Sequence, residues 1–171
     1  MSTNPYTPPN ARVSDPEATD IEYVGFWIRV VAALIDTVLV VAVSYPLLIA
    51  IYGWAYFGEA KRGFIAGPAD FAISWLMPAV ASIIFWLSKQ ATPGKMAVSA
   101  RVVDARTGKT ISIGQSLGRY LGYFVSLLPL GLGILWVAFD RRKQGWHDKL
   151  AGTVVVRSKG RGTRPVSFEE V

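Results

Sequence analysis

Two ionisable side chains at the start of the first long apolar stretch have the residue types and spacing to handle a cation or a proton. Arg29 and Asp36 are seven residues apart, so on a helix they share one face about 10 Å apart along the axis. An ionised side chain at membrane depth costs roughly 2.5 to 3.5 kcal/mol and needs a partner or a wet cavity. Asp36 is therefore either half of a structural salt bridge or a carboxylate that binds a cation or relays a proton. For Arg29 the plainer interpretation is a side chain that extends to the lipid headgroups.

A second polar group follows the last apolar stretch and contains Asp140, His147 and Asp148. Catalysis would require His147 to be oriented by a carboxylate and to face a nucleophile. Adjacent residues do not face each other on a helix, and neither a nucleophile-bearing turn nor a metal-ligand spacing accompanies this single His. The chain has no Cys, which excludes a thiol nucleophile and a Cys-based metal site. We therefore expect a protein that is not an enzyme and that uses no cofactor or metal.

The elements that position these residues are apolar segments long enough to cross a bilayer. Asp36 is the one charged residue between Val30 and Gly58, and the stretch from Phe71 to Leu87 has none. A helix of about 20 residues crosses the hydrocarbon core, so both stretches are predicted to be transmembrane helices. The composition agrees, since charged residues make up 18% of the chain and its mean hydropathy is +0.33. The predicted fold class is an all-α membrane protein.

A third apolar stretch, residues 120–139, has Pro129, Gly131 and Gly133 near its centre. Such a cluster breaks a helix. The stretch is therefore either a Pro/Gly-broken hairpin that enters the bilayer and returns, or a third span.

The distribution of basic residues favours the broken hairpin. Lys and Arg number one in residues 1–28, two in 59–70, five in 89–112 and eight after residue 140. The positive-inside rule places both the 89–112 loop and the C-terminus in the cytoplasm, which an enter-and-return hairpin satisfies and a third crossing does not. We expect a multi-pass protein of a bacterial cytoplasmic (inner) membrane. Its basic segments would contact anionic lipid headgroups, so the net charge of +6 does not indicate nucleic-acid binding.

The loop of residues 89–112 is predicted to form a small extramembrane β-hairpin. Pro93-Gly94 and Thr107-Gly108 are turn signals, and apolar residues alternate in residues 98–103. An open strand edge cannot lie in lipid, so this element must lie in water or among the headgroups.

Small residues recur every four positions at the start of the third stretch: Gly114, Gly118, Gly122 and Ser126. On a helix they form one stripe of the kind that packs closely against another helix, within one protomer or in a dimer. Arg119 lies beside this stripe and is the nearest cationic candidate for Asp36 outside its own helix. We expect it to extend to the interface as an anchor.

Four segments resemble, in their order and spacing, the RDD family of bacterial inner-membrane proteins. They read FWIRVVAALID, ATPGKMAVSARVVDARTGK, LGRYLGYFVSLLPLGLGILWVAFD and QGWHDKLAGTVVVR. The family is named for one arginine and two aspartates, which the resemblance assigns to Arg29, Asp36 and Asp148, with Asp140 as the competitor for the last position. It also implies a transport role without an agreed substrate.

These observations divide the chain into a membrane domain, residues 23–157, between disordered tails at 1–22 and 158–171. We expect a transport or ion-coupling role for a cation or proton, centred on Asp36. Because two or three spans enclose little volume, we expect a homo-oligomer. The alternative is a non-transporting accessory or assembly protein whose glycine stripe binds another membrane protein.

Overall fold

The computed structural model of the protein describes residues 21–58 and 65–158. Most of the two predicted tails, and residues 59–64 of the first connector, lie outside the described residues. Ile21 and Glu22, from the predicted N-terminal tail, belong to a strand, and Ser158, from the predicted C-terminal tail, ends another.

Within the described residues, two helices are long and apolar enough to cross a membrane. Helix α1 is Phe26–Tyr52, and α2 is Pro68–Lys89 with a π-helical turn at Ala72–Leu76. Only 11% and 6% of their most apolar 18-residue windows are buried within the chain. Since the remaining surface is apolar, it must be covered by lipid or by another protein.

The described residues also form a 3₁₀ turn after α1, Trp54–Phe57, and four shorter α-helices: α3 (Pro93–Ala97), α4 (Ile113–Leu127), α5 (Leu132–Phe139) and α6 (Trp146–Ala151). A capping box starts α4, in which Ser112 and Gln115 satisfy each other's backbone N–H groups. The break between α4 and α5 falls at the Pro/Gly cluster, where Gly131 has φ +78°, and the two helices are bent by 100°. By length and composition this bent pair is a broken span or a re-entrant segment, as the sequence left open.

A three-stranded antiparallel sheet joins segments that are far apart in the sequence. Strands β1 (Ile21–Tyr23), β2 (Ala100–Asp104) and β3 (Thr153–Ser158) are arranged in the order β1-β3-β2. Val102 is paired with Val155 in the β2–β3 register.

The predicted hairpin within residues 89–112 is therefore corrected, because β2 pairs with β3 and the preceding Pro93-Gly94 segment forms helix α3. The physical reason is that Thr-Pro-Gly is also a helix start, with Pro at the first helical position, where its missing N–H costs nothing.

The core lies where the sheet packs against the helices. Val24, Trp86, Val102, Ile111 and Val155 are all buried in one cluster. It joins the end of β1, the last turn of α2 and the inner face of the sheet, while Tyr120 and Tyr123 of α4 pack against it. This junction fixes the start of α1 beside α4 and α6, which determines the geometry of the charged residues.

Candidate functional site

Two arginines and one aspartate form an ion cluster at the junction of the helices and the sheet. Arg29 Nη1 lies 2.5 Å from Asp148 Oδ2, and Arg119 Nη1 contacts Oδ1 of the same carboxylate. The Arg119 and Asp148 side chains are fully buried, and Arg29 is 12% exposed. Thr153 Oγ1 accepts a further bond from Arg119 at 2.6 Å. We call these three charged residues the RDR cluster.

Arg29 joins three segments of the chain to the RDR cluster. Besides its ion pair with Asp148, its Nε donates to Val24 O at 3.0 Å and its Nη2 to Lys143 O at 2.5 Å. The planar guanidinium thus ties the start of α1 to the strand before it and to the loop before α6. The interpretation of Arg29 as a side chain extended to the headgroups is therefore corrected.

Arg119 is also buried rather than extended to the interface as expected. The RDR cluster has one positive charge in excess, and Arg119 Nε and Nη2 have no hydrogen-bond partner among the described residues. The Arg119 Cζ atom lies 5.4 Å from the ring centroid of Trp86 and 5.8 Å from that of Tyr123. The faces of these rings attract the guanidinium through cation–π interactions, which compensate for the hydrogen bonds that Arg119 Nε and Nη2 lack.

His147 and Asp148 titrate far from their ordinary ranges. Burial lowers the pKa of His147 to about 3. The positive charge of the nearby Arg119 also lowers this pKa, whereas the negative charge of Asp148 raises it without cancelling the shift. The neutral His147 ring stacks on Tyr123 with centroids 4.0 Å apart. Burial opposes the charge of Asp148, but Arg119 and Arg29 outweigh it and hold the pKa of Asp148 well below its usual range. His147 therefore stays neutral and Asp148 stays ionised throughout the physiological pH range.

Ser126, His147 and Asp148 lie in a row that resembles a nucleophile, base and orienting acid. His147 Nδ1 is 3.4 Å from Ser126 Oγ, and Nε2 is 3.6 Å from Asp148 Oδ2. The adjacent pair meets because Asp148 bends back over the first turn of α6, where it accepts the Gly145 N–H at 3.1 Å. However, Ser126 is fully buried, and its hydroxyl donates to Gly122 O. That the protein is not an enzyme stays a prediction.

Asp36 lies apart from the RDR cluster and holds the start of α3 against α1. Its Oδ1 accepts the Gly94 N–H at 2.6 Å, and its Oδ2 accepts the Thr92 hydroxyl at 2.5 Å. Lys95 Nζ donates to the same Thr92 oxygen at 3.4 Å. Among the described residues no ion pair to Asp36 is formed, so the shared helix face does not join it to Arg29.

A groove of about 260 Å³ opens between α1 and α2, and Asp36 lies at its end. Its walls are mainly apolar and include the side chains of Leu39, Val40, Val43, Met77, Ala81 and Phe85. Met77 directly follows the π-helical turn of α2, and such turns are frequent at functional sites. Asp36 is half-buried and is the one charged side chain in this lining among the described residues.

Asp140, the competitor of Asp148, forms a peripheral pair. Its Oδ1 lies 2.5 Å from Lys149 Nζ, and the Lys149 side chain is 44% exposed. The hydrogen bond from Lys149 lowers the pKa of Asp140. The structure therefore brings Arg29 together with Asp148 and not with Asp140.

The glycine stripe divides into close and open positions. A Cβ atom at Gly122 would lie 2.8 Å from His147 Cα, so this glycine lets α6 pack against α4. A Cβ atom at Gly118 would meet no other part of the described structure within 4 Å, and at Gly114 the nearest atom would be Ser112 Oγ at 3.9 Å. The tightest contact is outside the stripe, at Gly94, where a Cβ would lie 2.0 Å from Ala32 O.

The sequence interpretation missed the roles of Arg119 and Thr92. The pattern that could have revealed Arg119 is its spacing to Tyr123 and Ser126, which makes one polar face on an otherwise apolar helix. Thr92 could have been found as the residue before a Pro at a helix start.

The fold and the buried charges define a small helical membrane protein whose apolar helices are joined to a small three-stranded antiparallel sheet. The chain belongs to the RDD family, whose model matches residues 23–152. It is 30% identical over 146 residues to the uncharacterized protein YxaI of Bacillus subtilis (strain 168), covering 77% of this chain and 95% of that protein.

Two further relatives have similar descriptions. The uncharacterized membrane protein YteJ of the same strain is 26% identical over 142 residues, covering 80% of this chain and 82% of YteJ. Protein RP437 of Rickettsia prowazekii (strain Madrid E), also uncharacterized, is 35% identical over 107 residues, covering 63% of this chain and 60% of RP437. No solved structure matches the chain.

Proposed function

We propose that the protein moves a proton or another small cation across the membrane through reversible binding at Asp36. The observation that carries the proposal is the position of this carboxylate. It belongs to a helix long and apolar enough to cross a membrane, is half-buried, and lines a groove between the two helices of this kind. Asp148 lacks this access because it is fully buried between two guanidinium groups.

The donor set favours a proton over a metal ion. Within the described part of the chain, no group of three or more His, Cys, Asp or Glu side chains could hold a metal ion. Asp36 is a single carboxylate with one hydroxyl, from Thr92, beside it. One carboxylate suffices to carry a proton, whereas alkali and divalent cations prefer several oxygen ligands.

Proton binding at Asp36 would change its contact with α3. The ionised carboxylate accepts charge-assisted bonds from Gly94 and Thr92, and such bonds contribute about 1.5 to 3 kcal/mol each. A protonated carboxyl has a weaker acceptor on one side and a donor on the other. Protonation would therefore loosen α3 from α1.

The same proposal includes the topology. The sheet brings residues 21–23, 100–104 and 153–158 together, which supports placing them on one side of the bilayer. Helices α4 and α5 would then enter and return at their 100° bend. The Lys and Arg counts support the cytoplasm as that side. Because both spans are largely unburied in one chain, we also propose a homo-oligomer in the membrane.

Flux through proteoliposomes tests the proposal. We expect the wild-type protein to move H⁺ down an imposed gradient, with Na⁺ and K⁺ gradients as separate arms, and Asp36→Asn to lose this activity. The variant should stay folded, because the Thr92 hydroxyl can turn to accept from the new amide. Asp140→Asn is the control, since it removes a carboxylate outside the spans.

Two results would contradict the proposal. Full flux in Asp36→Asn would remove Asp36 from the mechanism. Wild-type liposomes without flux of any of the three ions would favour the accessory or assembly protein, whose apolar helix faces would then bind another membrane protein.

A further inference from the structure

The groove beside Asp36 has the chemistry of a site for an amphiphile. Asp36 and Thr92 belong to its lining, whereas the walls from Leu39 to Val43 on α1 and from Met77 to Phe85 on α2 are mainly apolar, and nearly all of the surface exposed in the groove is apolar. Because both helices expose apolar surface to the bilayer, a molecule dissolved in the membrane could enter sideways.

Charge complementarity selects the head group of the occupant. Asp36 is the one charged side chain in the lining among the described residues, and an acceptor-only carboxylate attracts a cation with N–H donors. Outside the lining, Lys95 Nζ donates to Thr92 Oγ1, which in turn donates to Asp36, so an ammonium group already lies one hydroxyl away from the carboxylate. A carboxylate- or phosphate-bearing amphiphile would instead be repelled by the charge of Asp36.

The volume of the groove limits the size of the ligand's apolar part. The groove measures about 260 Å³, slightly below the range of roughly 300 to 1,000 Å³ typical of sites for drug-sized molecules. It therefore suits one short alkyl or aryl chain better than a lipid with two acyl chains.

We propose that this groove binds small lipophilic primary amines, with the protonated nitrogen on Asp36 and the apolar chain between α1 and α2. Such an amine is ionised at neutral pH, as a Lys side chain is. The inference rests on the proposed function in one respect, namely that Asp36 is accessible to a ligand. Binding itself is measured without any flux.

Calorimetric titration of the whole protein in phosphatidylcholine nanodiscs tests this site, with phenylbutylamine as the probe and empty nanodiscs as the partition background. We expect saturable binding near one amine per chain. Phenylbutanol, which has the same apolar part and no charge, should bind at least about tenfold more weakly, as should the amine to Asp36→Asn.

Two tryptophan substitutions on α2, one inside the groove and one outside it, locate the site. Ala81→Trp fills the groove and should abolish amine binding, whereas Ile84→Trp adds the same ring on an exposed position outside the lining and should not. Wild-type binding no greater than in empty nanodiscs, equal binding of the alcohol, or retained binding in Ala81→Trp would each overturn the proposal. If Asp36→Asn fails to fold, the comparison of phenylbutylamine with phenylbutanol binding to the wild-type protein still tests the proposal.

The two proposals fail separately. Amine binding that depends on Asp36, together with absent cation flux, would remove the proposed function and keep the site. Asp36-dependent flux without amine binding would keep the proposed function and remove the amine site. The groove would then be filled by a lipid chain.

Discussion

The RDR cluster and the Asp36 groove both start from the first three turns of α1, yet one is closed and the other is open. In the RDR cluster the carboxylate of Asp148 is fully buried between Arg29 and Arg119. In the groove, Asp36 is half-buried and bound by a hydroxyl and one backbone N–H. Breaking a buried ion pair leaves a charge without compensation, whereas an accessible carboxylate can exchange its partners. The comparison separates a group that holds the fold from one suited to reversible binding.

The largest effect is expected from Asp148→Asn. The substitution leaves the fully buried Arg119 and the partly exposed Arg29 without a counter-charge, so we expect a loss of about 3 to 5 kcal/mol in the free energy of unfolding. Asp140→Asn is the matched control, because its Lys149 partner is 44% exposed and such pairs contribute less than about 1 kcal/mol. Urea unfolding in detergent, followed by tryptophan fluorescence, measures both. Equal losses would mean that the RDR cluster is not the closed region described above.

The membrane helices were predictable from the sequence because long apolar runs have few alternatives. The predicted stretches beginning at Val30 and Phe71 correspond to α1 and α2 with shifted ends. Strand pairing was not predictable, because β2 and β3 meet only after the chain has passed through α4 and α5. Short-range turn signals indicated a local hairpin, and no local pattern reveals a partner about fifty residues away.

The site was predictable only in part, because local sequence patterns do not reveal contacts between distant segments. The family resemblance named Arg29, Asp36 and Asp148, but it did not show that Arg29 pairs with Asp148 and that Asp36 binds α3. Helical spacing relates residues on one helix and says little about contacts between elements. The burial of Arg119 depends on the docking of α6 on α4, which is a property of the tertiary structure.

An intermediate loss of stability is expected where a glycine allows two segments to pack closely. The RDR cluster and the Asp36 groove each have one such glycine. Gly122→Ala would press on the His147 backbone and Gly94→Ala on Ala32 O, so we expect losses of about 1 to 3 kcal/mol or more. Gly118→Ala is the control, since none of the described residues has an atom that its new methyl group would meet within 4 Å. It should be neutral or stabilise α4 by up to about 1 kcal/mol. A large loss at Gly118 in thermal melts would instead indicate packing against a second chain.

The smallest effect is a pH dependence that only the closed region should show. Unfolded His147 binds a proton near its ordinary pKa, about 6.5, whereas folded His147 binds one only near its lowered pKa of about 3. The unfolded state therefore binds more protons between these values, and stability falls as the pH falls, by roughly 1.4 kcal/mol per unit well inside this window. The contribution of Asp148 to stability changes in the same direction, but at lower pH. Its contribution is complete above the unfolded pKa, about 3.9, and is lost only as the pH falls through its lower folded value.

The window from pH 6 to pH 5 therefore isolates His147 from the carboxylate of the RDR cluster. We expect the free energy of unfolding of the wild-type protein to decrease by about 1 kcal/mol across this window, and His147→Gln to remove most of that slope. Gln has no titratable group, and its amide can still lie against Tyr123. Because His147 is the single His of the chain, no other side chain with an ordinary pKa titrates there. An unchanged slope in His147→Gln would mean that the ring is protonated in the folded state and that the region is open to water, which would remove the contrast with the Asp36 groove.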